Sequence, residues 1–332
     1  MRRIAIMGTG SYVPDRVLTN TDLEKILWTS DEWISKRTGV RERRIAAHDQ
    51  YASDLGREAS LRAMEVAGLS PLEVELIVLC TMTPDTACPS GANWLEASLG
   101  AENAVSFDVV AACSGFVFGL SVAEQYLKTG VFGNALVVAS EVMSRTLDWT
   151  DRESCILWGD GSGAVVLKAV EGDDGGYSEI LSTHIHTDGK NGQNLLLPGG
   201  GSKTTPISHR SVDQRLHTLR MIRASDSVRV AVRYFAEAAE EAVFKNGYTL
   251  DDVKVIVPHQ ANIRILQQMA KRLKVPMEKV YLTVAKYGNI SSATVPIALD
   301  EAVRDGTIEK GDLVVLTAFG GGLTWGSSLI RW

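Results

Sequence analysis

Two stretches of the chain decide the fold: Ala63–Cys80, with the sequence AMEVAGLSPLEVELIVLC, and Ala242–His259, with the sequence AVFKNGYTLDDVKVIVPH. At a constant offset of 179 residues they share Ala, Gly, Val, Ile and Val, and Gly68 matches Gly247. Each stretch has the pattern of a helix end, a glycine cap, a short turn and a buried strand. The match indicates that one structural unit occurs twice in the chain.

A second pair of segments supports the duplication. Cys113–Gly130 and Asn289–Gly306 have the same length, begin where a predicted strand ends, and run through a helix to a glycine. Their offset of 176 residues nearly equals that of the first pair. We therefore predict two related halves, residues 1–170 and 175–332. Both alternate helix with strand, which predicts an α/β fold of parallel strands covered by helices.

Composition and charge restrict the function and the location. The 332 residues carry a net charge of -6, which argues against general affinity for nucleic acid. Four cysteines show no metal-binding spacing and no disulfide framework, which favours a reducing cytosol. The N-terminal apolar run is too short for a signal peptide, and no stretch approaches the roughly 18 apolar residues of a membrane helix. We expect a cytoplasmic protein that binds no membrane.

Reactive side chains stand at the ends of predicted strands, where ligands of parallel sheets bind. Cys113 opens an apolar helix whose dipole favours the nucleophilic thiolate and lowers the pKa of the thiol, although a buried apolar cysteine is an open alternative. His259 ends one strand, and Asn289 follows the predicted strand 280–284. Considered alone, His259 suits a structural histidine and Asn289 suits a turn residue. The duplication matches Asn289 to Cys113 and brings all three towards one crevice.

Three further segments have two interpretations each. The glycines within Phe319–Gly326 suit either an oxyanion hole built from backbone N–H groups or a plain turn. The region 188–219 suits either a functional loop with little regular structure or a tolerated surface insertion. Cys80 and Cys155 lie in apolar runs and are predicted to be core residues.

Several motifs together resemble one enzyme family. They are Ala112-Cys113-Ser114-Gly115-Phe116, Pro258-His259-Gln260-Ala261-Asn262, Tyr287-Gly288-Asn289, Phe319–Gly326 and the segment from Thr29 to Gly39. In this combination and order the chain resembles the β-ketoacyl-acyl carrier protein synthase III family over almost its whole length. The resemblance implies a thiolase-type fold of five layers (αβαβα), two sheets between three helical layers, and a homodimer.

The resemblance also implies a reaction in two halves that needs no cofactor. Cys113 would attack an acyl-CoA thioester, with the backbone N–H groups of Cys113 and Gly321 holding the oxyanion. Malonyl-acyl carrier protein would then lose CO₂, while His259 and Asn289 donate hydrogen bonds to its thioester oxygen. The resulting carbanion would attack the acyl group on Cys113.

Binding residues follow from the resemblance in the same way. The CoA-binding set would be Thr29, Trp33, Arg37, Arg152 and Asn262, with Trp33 on the adenine and the arginines on the nucleotide. The carrier-protein contact would be Arg264, Lys271 and Arg272, for which a solvated helix face is an equal alternative.

The predicted acyl pocket departs from the family pattern. Its residues would be Cys88, Ala224, Val228 and Phe319. The family commonly has Phe at the positions of Cys88 and Val228, so that smaller residues would widen the pocket. We therefore hypothesise a primer longer than acetyl.

Other members of the superfamily fit less well. A degradative thiolase needs a second late cysteine, and no cysteine follows Cys155. An elongating ketosynthase normally has His where this chain has Asn289, and the glycine motif of plant-type polyketide synthases typically contains Pro. A specialised member that condenses or transfers acyl groups in secondary metabolism is the main alternative. A noncatalytic acyl-binding protein is the alternative from another class.

Overall fold

The computed structural model of the protein describes residues 2–171, 178–202, 206–221 and 224–332, without the side chains of 224–227. The strands are β1 (Arg3–Tyr12), β2 (Val17–Thr19), β3 (Glu42–Arg44), β4 (Leu76–Cys80), β5 (Val105–Val109), β6 (Asn134–Val142), β7 (Asp160–Val170), β8 (Ser178–Thr187), β9 (Leu195–Leu196), β10 (Arg220–Met221), β11 (Val253–Pro258), β12 (Leu313–Gly320) and β13 (Thr324–Arg331). The α-helices are α1 (Asn20–Glu24), α2 (Asp31–Thr38), α3 (Ala52–Ala67), α4 (Gly91–Leu99), α5 (Gly115–Thr129), α6 (His209–Asp213), α7 (Ala224–Lys245), α8 (Ile263–Leu273), α9 (Val284–Tyr287) and α10 (Thr294–Arg304).

The two halves have the same strand order. The first half forms β5-β4-β6-β7-β1, and the second forms β11-β12-β13-β8, with Val280 on the outer side of β11 through an isolated parallel bridge to Ile256. β1 and β8 pair only around Ala5 and Ile6, which joins the described strands of both halves into one continuous sheet rather than two separate ones. The duplication read from the sequence is therefore present in the topology.

Apolar side chains divide the fold into five layers. Alternate residues of β4 point to opposite faces, as in any strand. Leu76 and Val78 belong to a central core that contains the buried helices α5 and α10 between strands of both halves. Ile77 and Leu79 pack instead with α3 and α4 on one outer face. Helices α7 and α8 cover the other outer face, over β11, β12 and β13. This arrangement confirms the predicted five-layered fold.

The matched segments keep the same backbone geometry. Gly68 and Gly247 both end a helix with positive φ, 64° and 76°. Such left-handed C-caps favour glycine because it has no Cβ. The predicted boundary between the halves falls after Val170, where β7 ends, and the predicted start of the second half at residue 175 lies outside the described residues.

One local expectation is wrong. The predicted strand 280–284 is reduced to the bridge at Val280, because Val284 already begins the short helix α9. In the described parts of region 188–219, regular structure is confined to three short elements, a 3-10 helix (Gly189–Asn194), strand β9 and helix α6. Among the described residues, no helix has both the length and the apolar character needed to cross a membrane.

Candidate active site

Cys113 sits in a tight turn between strand β5 and helix α5. The turn is a 3-10 segment, Ala112–Ser114, in which Ala112 has the positive φ of 46°. Positive φ is uncommon outside glycine and is frequent at functional sites. The thiol is only 4% exposed and belongs to an apolar cluster with Met143, Leu147 and Trp158. The sequence thus positions a single thiol in a dry crevice at the start of a buried helix.

Asn289 occupies the matching position in the second half. Gly288, the counterpart of Ala112, also has positive φ, and a Cβ there would lie 2.5 Å from the carbonyl oxygen of Leu157. The backbone of Asn289 bonds to Leu157 and Gly159, which fixes the turn in place. The Oδ1 atom of Asn289 accepts a hydrogen bond of 2.8 Å from the backbone N–H of Ser291. The side-chain amide is thereby oriented with its Nδ2 donor on the free side.

Ser291 connects the two halves of the site. It lies in a 3-10 turn before α10 that contacts the turn of Cys113. Its hydroxyl lies close enough to the thiol of Cys113 to lower the pKa of that thiol, and it lies 3.5 Å from the sulfur of Met82. Its carbonyl accepts a bond of 3.0 Å from Thr294 Oγ1, and that oxygen is 2.6 Å from His259 Nδ1. One buried network therefore joins Cys113, Asn289 and His259, as the duplication predicts.

Two arrangements of the protons satisfy this network. Thr294 has one hydroxyl proton, which it can donate to the carbonyl oxygen of Ser291 at 3.0 Å or to Nδ1 of His259 at 2.6 Å. In the first arrangement the ring carries its proton on Nδ1, and Nε2 is an acceptor. In the second arrangement Nε2 carries the proton and can donate it. The expectation that His259 donates to a thioester oxygen requires the second arrangement, whereas an Nε2 that takes up a proton requires the first.

Burial keeps the thiol and the imidazole neutral. Burial raises the pKa of Cys113 to about 12, although the hydrogen bond from Ser291 lowers it in part. The prediction that the helix terminus lowers this pKa is therefore wrong, because desolvation of the thiolate is the larger effect. Burial likewise lowers the pKa of His259 to about 3, against the opposing hydrogen bond with the backbone of Ser291. The resting pair is a thiol beside a neutral base.

The glycine run after β12 lies against the turn of Cys113. A Cβ at Gly320 would lie 2.7 Å from the backbone nitrogen of Cys113 and 3.0 Å from that of Ser114. A Cβ at Gly321 would meet only the flexible side chain of Leu195, at 3.2 Å. The backbone nitrogen of Cys113 therefore lies close to the glycine run. This closeness is what an oxyanion hole shared by Cys113 and Gly321 requires.

A buried carboxylate that the sequence did not single out supports the site. Glu141, at the end of β6, is fully buried and accepts hydrogen bonds from the hydroxyls of Thr83 and Ser292 and from the backbone N–H of Met82. Burial raises the pKa of this carboxyl, and the bond from Ser292 lowers it in part. The side chain fastens the loop after β4 to the turn before α10. Both segments line the crevice of Cys113.

Three of the predicted CoA-binding residues contact one another, and one of them, Trp33, packs against the apolar cluster of Cys113. Trp33 and Arg37 share a face of α2, with the guanidinium of Arg37 5.0 Å from the indole centroid. Arg152 lies 4.8 Å over the same indole. The hydroxyl oxygen of Thr29 is buried and has no hydrogen-bond partner in the described part of the chain. Asn262 caps α8, with its side chain accepting from the N–H of Arg264.

The predicted acyl-pocket residues do not cluster. Cys88 is exposed, and Val228 is half-buried on α7. The side chain of Ala224 lies outside the described residues. Phe319 packs in the core of α7 and α8 and contacts the ring of Phe235, behind His259. The apolar wall of the thiol comes instead from residues that sequence reasoning missed, including Leu147, Leu195 and Leu219.

Of the predicted carrier-protein contacts, one lies near the mouth. Arg264, at the start of α8, donates to the carbonyl oxygen of Lys36 on α2. Lys271 and Arg272 lie at the far end of the helix, where Arg272 pairs with Glu237 at 3.3 Å. All three side chains are exposed, which suits either interpretation of this face.

Comparisons with known proteins agree with this geometry. The family profile described as 3-Oxoacyl-[acyl-carrier-protein (ACP)] synthase III matches residues 107–189, and the profile of its C-terminal part matches residues 243–332. The beta-ketoacyl-[acyl-carrier-protein] synthase III of Caldanaerobacter subterraneus subsp. tengcongensis is 48% identical, over 98% of this chain and 97% of that protein. The protein of that name from Xanthomonas campestris pv. campestris is 50% identical over 98% of each. The crystal structure of the Aquifex aeolicus VF5 3-oxoacyl-[acyl-carrier-protein] synthase III superimposes with a TM-score of 0.89 at 41% identity, covering 99% of this chain and 100% of that one. This chain belongs to the β-ketoacyl-[acyl-carrier-protein] synthase III family.

Proposed function

We propose that this protein is an acyltransferase that starts fatty-acid synthesis by condensing an acyl-CoA primer with malonyl-acyl carrier protein. The observation that carries the proposal is the buried network that joins Cys113, Asn289 and His259 through Ser291 and Thr294. A thiol, an oriented amide and a base in one dry crevice suit acyl transfer. No metal or organic cofactor is assigned to the reaction, because CoA takes part as a substrate.

In the first half-reaction, Cys113 takes the acyl group. Nε2 of His259 accepts the thiol proton as the sulfur attacks the thioester carbonyl. The backbone N–H groups of Cys113 and Gly321 stabilise the oxyanion. When the carbon–sulfur bond of the acyl-CoA breaks, the proton on His259 passes to the leaving sulfur. The products are an acyl-Cys113 thioester and free CoA.

In the second half-reaction, malonyl-acyl carrier protein loses CO₂. The electron pair of the broken carbon–carbon bond becomes an enolate, to which Nδ2 of Asn289 donates a hydrogen bond. His259 donates as well once Nε2 carries a proton, which Thr294 permits by turning its hydroxyl towards Nδ1. The enolate carbon attacks the acyl-Cys113 carbonyl and expels the Cys113 thiolate. That thiolate takes up one proton from water in each turnover, which restores the resting thiol.

The edge of the first half suits a homodimer. β5 is an edge strand of the described sheet; its first residue, Val105, and the residue after its end, Val110, are 52% and 75% exposed. Trp94 on the neighbouring helix α4 is also exposed. An apolar edge of this kind pairs readily with a second copy about a two-fold axis. We propose a cytoplasmic homodimer whose partners are acyl-CoA and the carrier protein, docked near Arg264.

The primer is proposed to be longer than acetyl. The apolar wall around Cys113 includes Leu195 and Leu219, which come from the long region that follows β8. This wall, rather than Cys88 or Phe319, is the surface along which an alkyl chain would extend. A series of acyl-CoAs tests the idea, and the highest kcat/KM with acetyl-CoA would contradict it.

Intact-mass spectrometry tests the proposed function. The protein is incubated with acyl-CoAs from acetyl to dodecanoyl, with Cys113→Ala as the negative control. Cys88→Ser is the matched control, because it removes an exposed thiol outside the network. We expect an acyl adduct in the wild type and in Cys88→Ser, and none in Cys113→Ala. An adduct that persists in Cys113→Ala would overturn the assignment of the nucleophile.

A further inference from the structure

A ladder of alternating indole and guanidinium groups stands at the mouth of the site. The guanidinium of Arg152 lies 4.8 Å from the ring centroid of Trp33 and also 4.8 Å from that of Trp28. The guanidinium of Arg37 lies on Trp33 at 5.0 Å. The order along the ladder is Trp28, Arg152, Trp33 and Arg37. Trp28 is the outermost member and was not singled out from the sequence.

Trp28 holds Arg152 in two ways although it is itself almost free of other contacts. Its ring covers one face of the guanidinium, and its backbone carbonyl accepts a hydrogen bond of 2.7 Å from Nη1 of Arg152. The side chain is 86% exposed, which is unusual for the largest apolar residue. An indole left in water and fixed mainly to a cation indicates a binding role rather than a role in the core.

The charges of the ladder are uncompensated. Within the described residues, neither Arg37 nor Arg152 has a carboxylate partner, and the side chain of Arg152 donates a hydrogen bond only to Trp28. The buried hydroxyl oxygen of Thr29, next in the chain, also has no partner there. Free guanidinium groups and an unsatisfied hydroxyl beside stacked rings suit a ligand with both a planar base and phosphates.

We propose that Trp28 is a positioning residue that holds Arg152 as the outer plate of a clamp for the adenine ring of the acyl-CoA donor. The inference rests on the proposed function and adds to it a residue that sets preference for nucleotide-bearing donors. Trp28 acts through Arg152: it keeps the guanidinium over the ring of Trp33 and limits its freedom before the ligand arrives.

The distances explain why Arg152 needs a residue that positions its side chain. A ring inserted between two planar groups needs about 7 Å between them, since each van der Waals contact takes about 3.5 Å. Arg152 now lies 4.8 Å from Trp33, so it must move outward when a base enters. Without Trp28, the long arginine side chain would lose its orientation once it left Trp33. With Trp28, the pair can move together and still present a flat cation to the base.

Two acyl donors distinguish an effect of Trp28 on nucleotide binding from a general effect on acylation. The rate of Cys113 acylation is measured by intact mass with acetyl-CoA and with S-acetyl-pantetheine, which has the same thioester but no nucleotide. For Trp28→Ala we expect KM for acetyl-CoA to rise about fivefold, the size of one cation–π contact, with kcat unchanged. The constants for S-acetyl-pantetheine should not change. Trp28→Phe should restore most of the affinity.

Controls make each outcome decisive. Ile26→Ala removes an exposed side chain on the same segment, 62% exposed, and should leave both donors unaffected. The double variant of Trp28→Ala with Arg152→Ala should lose no more than Arg152→Ala alone. Additive losses, or an equal loss with both donors, would overturn the proposal. If neither donor acylates wild-type Cys113, the proposed function itself fails, which is a different result.

Discussion

Replacing Thr294 with valine should slow the acylation of Cys113 while the protein still folds. The substitution keeps the shape of the side chain and removes the hydroxyl that is 2.6 Å from His259 Nδ1 and 3.0 Å from the carbonyl of Ser291. Both partners are buried, His259 at 1% exposure. Water therefore does not replace the hydroxyl. In the arrangement with the proton on Nδ1, the ring keeps this donor without its short hydrogen bond and loses the contact that holds the tautomer.

The magnitude follows from the unmade hydrogen bond. A buried donor that loses its acceptor costs about 1–3 kcal/mol. If that cost falls on the reactive orientation of His259, acylation of Cys113 slows about 5- to 100-fold. Thr294→Ser keeps the hydroxyl and should acylate at close to the wild-type rate. The pair thus compares loss of the hydroxyl with loss of one methyl group.

Single-turnover acylation, followed by intact mass, measures the effect. The tautomer itself is read from the ¹⁵N chemical shifts of His259, which should show the proton on Nδ1 in the wild type. The reasoning is refuted if Thr294→Val acylates as fast as Thr294→Ser, or if the wild-type ring carries its proton on Nε2. A fall in thermal stability without a fall in rate would also refute it.

Four further predictions use other parts of the site. Gly320→Ala should abolish acylation of Cys113, because the new Cβ would lie 2.7 Å from its backbone nitrogen, whereas Gly321→Ala should cost less, as kinetics with one acyl-CoA will show. The kcat/KM for acyl-CoA should stay flat between about pH 5 and pH 9, because the thiol (pKa about 12) and His259 (pKa about 3) both remain neutral. The free energy of unfolding should depend on pH through His259, because the folded state keeps this ring neutral while the unfolded chain protonates it near pH 6.5. The contribution is complete above that pH and is lost as the pH falls towards 3, which urea titrations at several pH values will detect. Glu141→Ala should lower the free energy of unfolding by about 3 kcal/mol in urea titrations, because buried donors lose their acceptor.

The duplication made the centre of the site predictable from the sequence. Cys113 and Asn289 each follow the end of a strand at matching positions of the two halves. The match predicts that their side chains face each other across a pseudo-two-fold axis. The structure adds a detail of the same kind, since Ala112 and Gly288 both have positive φ before these residues. Gly288 signals this conformation in the sequence, but Ala112 does not, because alanine rarely adopts it.

The residues that connect the site were not predictable in the same way. Ser291 and Thr294 act through hydrogen bonds to partners far away in the chain, and Thr294 is 35 residues from His259. Their types and spacing are those of any helix start. The pKa of Cys113 was predicted in the wrong direction, because the sequence shows the helix terminus but not the completeness of burial.

The acyl pocket and the outer ladder depend on tertiary packing. Leu195 reaches the glycine run from a region whose sequence resembles a loop. Trp28 lies three residues before α2 begins, and only the fold brings it to Arg152, 124 residues away. Neither contact leaves a periodic pattern in the sequence.

The mass of the carrier-protein product tests the central claim most directly. Wild-type protein and Cys113→Ala are given an acyl-CoA and malonyl-acyl carrier protein, and the carrier protein is weighed. The account predicts a β-ketoacyl-carrier protein, heavier by the acyl group and lighter by CO₂, with the wild type only. Malonyl-carrier protein left intact while Cys113 is fully acylated, or the same product from Cys113→Ala, would contradict it.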